Sequence, residues 1–131
     1  MAPESPTTQR PTRSLVRLMV LTVALALGAL ALASAVFGLA GRGGAADQST
    51  AWVNLVTGIT GVAGAIGYML NKRWARYSYG ASVLGHLISH GLLLLRAISS
   101  ARFSVGAVIG LSLVPALAVA VFVLLERQRR V

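Results

Sequence analysis

Charged side chains are missing from four long stretches of this chain, residues 18–41, 48–71, 77–95 and 103–125. The stretches are 24, 24, 19 and 23 residues long and are filled mainly by Ala, Leu, Val, Ile and Gly. An α-helix rises about 1.5 Å per residue and the hydrocarbon layer of a bilayer is about 30 Å thick, so roughly 20 uncharged residues suffice to cross it. The pattern predicts an all-α, polytopic membrane protein. Its transmembrane domain covers residues 15–126, with spans at about 15–40, 51–70, 77–95 and 103–125. Four crossings give an up-down-up-down four-helix bundle, left-handed by the usual packing of membrane helices.

Polar punctuation separates the spans. Residues 1–14 read MAPESPTTQRPTRS and hold three of the four prolines. Too little apolar surface is present to offset the entropy of ordering, so a disordered tail is expected there. A loop rich in Gly and small polar residues is expected over Gly41–Thr50. The link NKRWAR, Asn71–Arg76, is short enough to make the second and third helices antiparallel neighbours. A turn is expected over Arg96–Arg102, and residues 127–131 form a basic tail. Trp52, Trp74, Tyr77, Tyr79 and Phe103 fall near span ends. Amphipathic aromatic rings favour the headgroup layer.

Composition sharpens this reading. Only 11% of residues are charged and mean hydropathy is +0.75, against about 25% charged in soluble domains. An ordinary soluble domain and a disordered chain are both excluded on that ground. There is no cysteine, which removes disulfides, thiolate metal sites and thiol redox chemistry. The net charge of +9 does not point to nucleic acid, because the basic residues sit at the ends of apolar windows rather than on one soluble face. Nine of the twelve, Arg10, Arg13, Arg17, Lys72, Arg73, Arg76, Arg127, Arg129 and Arg130, fall on one side of a four-span layout. Arg42, Arg96 and Arg102 fall on the other. By the bias of Lys and Arg toward the cytoplasm, both termini are expected inside, in the cell inner (cytoplasmic) membrane. A competing reading is a cleaved leader, since Ala33-Ser34-Ala35 matches a small-x-small site. Apolar sequence continues past it through Val36, Phe37 and Leu39, which favours an uncleaved helix.

Between membrane helices there is no hydrophobic drive, so close packing and polar contacts must hold them. In the second span Gly58, Gly61, Gly64 and Gly67 recur every third residue, with Thr57 and Thr60 beside them. Such a line winds around the helix, and this span is expected to be the central one. The fourth span carries Gly106-x-x-x-Gly110, a close-approach pattern. It also carries Pro115, which removes the bond to the Leu111 carbonyl and is expected to kink the helix, with Ser112 placed to help satisfy the freed backbone.

The third span holds Tyr79, Ser82, His86, Ser89 and His90 at spacings of three and four, a polar stripe on one side of a helix, and Asn54 of the second span is a candidate member of the same polar set. Ionisable groups within a membrane face the bundle interior and default to a functional hypothesis. Three readings stay open. The histidines could hydrogen-bond across helices to Asn54, Thr57 or Thr60; they could line a proton or polar-substrate path; or they could ligate a metal or haem. The last lacks a third ligand in the membrane, and one helix cannot supply both axial haem ligands. No phosphate loop, nucleophile elbow or paired carboxylate occurs. The expected function is therefore a non-enzymatic accessory or structural subunit, with no cofactor, packing through its Gly-rich helices against a membrane partner or itself. The rivals are a small oligomeric transporter or channel with a polar path past His86 and His90, and a haem- or metal-binding redox subunit.

Overall fold

Four helices make up the computed structural model, which describes residues 10–41, 45–100 and 104–130. They are α1 (Arg10–Leu39), α2 (Ala45–Met69), α3 (Ala75–Ser99) and α4 (Val105–Arg129). Each contains a window long and apolar enough to cross a membrane, and the protein is a four-helix transmembrane bundle.

The helices outrun the charge-free windows. α1 opens at Arg10, inside the stretch assigned to a tail, with Pro11 in its first turn. Proline is accepted there because a first-turn N–H has no partner within the helix. The rest of that tail, residues 1–9, lies outside the described residues. α2 opens at Ala45, so six of the ten residues of the expected loop are helical. Its helix breakers are confined to Gly41–Gly44, and Ala45 and Ala46 are strong helix formers. α3 continues through Arg96 to Ser99, and α4 runs on through Glu126 to Arg129. Arg, Glu and Gln propagate a helix well, and their long side chains can reach the headgroup layer from its last turn. At the other end of α4, Ser104 caps the helix by accepting from the Ala107 N–H at 3.1 Å. Phe103, placed at that edge from sequence, lies outside the described residues.

Two left-handed residues end helices. Gly41 (φ 72°) follows α1. Asn71 (φ 53°) follows α2, where its N–H bonds to the Tyr68 carbonyl (3.2 Å) and the Lys72 N–H to the Gly67 carbonyl (2.8 Å). That pair of bonds is a Schellman cap, and Asn tolerates the left-handed conformation better than most residues.

α2 lies between α1 and α3 and is the most contacted helix, as its glycines foretold. α4 closes the ring between α3 and α1 with the thinnest interfaces. Residues pair in opposite senses along neighbouring helices: Thr60 with Ser78 and Asn54 with Ser89 in contact between α2 and α3, Tyr79 with Phe122 in contact between α3 and α4, and His90 with Pro115 on the walls of one groove between the same two helices. The core gathers toward one end, from Val20, Leu21, Ala24 and Leu27 of α1, Ala65 and Tyr68 of α2, Tyr79 and Val83 of α3, and Ala118, Val121 and Leu125 of α4. That end also carries Arg17, the α2–α3 link and Arg129, and is called the basic end below.

Candidate functional site

The glycines of α2 set the geometry of the bundle. A side chain at Gly58 would overlap Leu32 of α1, its Cβ falling 2.5 Å from Leu32 Cγ. One at Gly64 would come within 2.6 Å of the Tyr79 backbone nitrogen in α3, and one at Gly67 within 2.9 Å of Ala75 Cβ. Gly61 is tight on both sides, against Gly28 of α1 and Ser82 of α3. The line therefore serves two neighbours, because successive glycines three apart turn gradually around the axis. Two further glycines belong to these seams: Gly28 packs on Val62 and Gly61, and Gly85 on Thr57. The sequence reading passed over both, since neither stands in a run.

The close approach of α2 and α3 decides which polar groups meet. Ser78 Oγ donates to the Thr60 carbonyl (2.8 Å), Ser82 Oγ to the Thr57 carbonyl (2.9 Å) and Ser89 Oγ to Asn54 Oδ1 (2.7 Å). These are the partners that sequence offered to the histidines, and the serines hold them instead. Short side chains fit a seam this narrow. His86 and His90 each lie one residue past Gly85 and Ser89, about 100° farther round the helix. The polar stripe is thus two stripes, a serine–glycine line against α2 and a second line with Tyr79, His86 and His90.

On that second line Tyr79 is 1% exposed. Its ring stands edge-on to Tyr68 and stacks on Phe122, both at 6.4 Å between centroids. Tyr79 is a core residue, which corrects its assignment to the headgroup layer; Trp52, Trp74 and Tyr77 are exposed. Two residues separate Tyr77 from Tyr79, about 200° of helix, so only one of them can face lipid. His86 is 3% exposed, and neither ring nitrogen has a protein partner. His90 sits 5.9 Å from it, ring to ring, and its Nδ1 donates to the His86 carbonyl oxygen at 2.9 Å. Among the described residues no group of three or more His, Asp or Glu side chains comes together.

His90 also lines a groove of about 360 Å³ where α3 and α4 part, together with Leu87, Gly91, Ser112 and Pro115. α4 runs unbroken through Pro115, which is buried. Ser112, expected to satisfy the freed Leu111 carbonyl, opens into this groove instead. Beyond it, Gly106 and Gly110 have no atom of another helix within 4 Å of a built Cβ. Neither packs against another helix among the described residues.

The basic end is tied differently. Arg17 of α1 donates from Nη2 to the Tyr68 carbonyl (3.0 Å) and to Asn71 Oδ1 (2.7 Å). The Tyr68 hydroxyl donates to Glu126 Oε1 at 2.5 Å, joining α2 to α4. Arg76 folds over the Tyr77 ring at 4.5 Å, a cation–π contact. At the far end Arg96 reaches Ser49 and Thr50 at the start of α2, at 3.4 Å each. Comparison of the chain with family models, with characterised proteins and with solved structures finds no match.

Proposed function

We propose that this chain is a small, non-enzymatic subunit that docks another transmembrane helix, from a second copy or a partner subunit, on the half of α4 remote from the basic end. The observation that carries this is the pair Gly106 and Gly110, four residues apart and facing no other helix of the chain. Glycine inside a helix costs up to about 1 kcal/mol relative to Ala. In α2 that cost is offset by contacts with two neighbours; in α4 an incoming helix would supply the offset. The nine-to-three division of basic residues supports placing the basic end in the cytoplasm, with four alternating crossings of the inner membrane.

The absence of cysteine makes the test clean. Ile109→Cys in native membranes should give an oxidative cross-link to a second copy or to a partner subunit, and adding Gly110→Leu should abolish it. A strictly monomeric protein with no stoichiometric partner and no cross-link would end the reading.

A second reading has its own support. A histidine with two ring nitrogens unpaired by protein, beside another that lines a groove, suits a polar path past His86 and His90. Reconstituted protein should then carry protons or a small polar solute, and His86→Ala with His90→Ala should stop it. No flux from the intact protein removes this alternative.

A further inference from the structure

Where Arg17, the Schellman cap and the last turn of α4 meet, the structure forms a partly open pocket of about 100 Å³, several times what one water needs. Arg17, Tyr68, Asn71, Lys72, Gln128 and Arg129 line it. Its polar lining is dominated by donors. Arg17 spends one nitrogen on two neutral acceptors, the Tyr68 carbonyl and Asn71 Oδ1, and makes no ion pair among the described residues. Because Asn71 accepts through Oδ1, its amide NH2 is left to donate. Lys72 and Arg129 add two cations with no carboxylate partner among the described residues. Glu126, the acid of this end among the described residues, is engaged by the Tyr68 hydroxyl. Gln128 Oε1 is buried without a protein partner.

Three cations and the Asn71 amide around one small space form a site for a compact anion with several acceptor oxygens. The depth of the pocket narrows the source. Arg17 lies in the first turn of the α1 span and Tyr68 in the last turn of the α2 span, which is headgroup level in a bilayer. We propose that the pocket binds the phosphate group of an anionic phospholipid, with Lys72 and Arg129 facing its charge and the Arg17–Asn71 pair fixing its position. Basic pockets between helix ends are the usual place for such headgroups. This inference is independent of the helix-docking reading above.

The test is thermal unfolding and native mass spectrometry of the full chain in neutral detergent, titrated separately with phosphatidylglycerol, phosphatidylcholine and inorganic phosphate. Phosphatidylglycerol should bind and stabilise, and phosphatidylcholine should not. Lys72→Gln with Arg129→Gln should weaken that binding about thirtyfold, the scale of two cations at an anionic surface. Gln128→Leu should weaken it less. Arg73→Gln with Arg76→Gln removes the same charge at the same end but outside the pocket, and should change binding less than threefold. Equal losses in the two double variants would mean diffuse charge attraction and would overturn the site. So would equal binding of the two lipids. Stabilisation by inorganic phosphate alone, with nothing added by lipid, would overturn the lipid source.

Discussion

α2 and α4 are both 25 residues long, both strongly apolar and both marked by glycine. In α2 each of the four spaced glycines is pressed against another helix; in α4 Gly106 and Gly110 touch none. The difference lies in what the facing helix presents. α1 and α3 offer α2 small or short side chains, such as Gly28, Ala75, Ser82 and Gly85, and serines that bond to its carbonyls and to Asn54. α4 meets its neighbours most closely through Ala118, Val121 and Leu125, all in the half toward the basic end, and a groove opens between it and α3 from Pro115 outward. A glycine pattern alone therefore announces a capacity for close approach, and the partner helix decides whether it is used within the chain.

The largest test of that contrast is a pair of equal substitutions. Gly64→Leu drives a side chain into the Tyr79 backbone and should cost about 3 kcal/mol or more, read as reversible unfolding in bicelles. Gly110→Leu should change the stability of the isolated chain by less than about 0.5 kcal/mol. Equal losses would show that α4 is packed as α2 is. Next in size is Tyr68→Phe, which deletes the bond from α2 to Glu126 of α4. A hydrogen bond to a charged group is worth about 2 kcal/mol. The variant should also open a cysteine placed at Val121 to maleimide, because α4 would lose a hold at its better-packed end. Smallest is His86→Leu. Removing two buried, unpaired nitrogens should raise stability by about 1 kcal/mol. A loss instead would mean that the ring is satisfied by something other than protein, which favours the polar path.

The four helices were legible in the sequence because a bilayer tolerates so few charges that their absence outlines each span. The central place of α2 was legible too, from a glycine spacing that winds around the helix. Helix ends were not, since Arg, Gln and Glu continue a helix as readily as they leave the membrane. The end of α2 was the exception: the link was expected to open at Asn71, and Asn71, in the left-handed conformation that Asn tolerates, follows α2. The polar side chains of α3 divide more finely than their spacing shows. Spacings of three and four place residues on one broad side, yet a single step of 100° separates Gly85, pressed against Thr57 of α2, from His86, whose ring nitrogens bond to nothing there. Which side chain wins a carbonyl depends on the gap between backbones, and that gap is set by Gly61, Gly64 and Gly85 acting together across two helices.

The uneven hold on α4 makes it a lever. Fixed near Val121 by core contacts and by Glu126, it extends 16 residues to Val105, about 24 Å of arm. A tilt of about 10° about that fulcrum would carry the far tip by about 4 Å while leaving the anchored segment almost still. Spin labels at Leu92 and Ile109 would read such a swing as a broad spread of distances, where a clamped rod would give a narrow one.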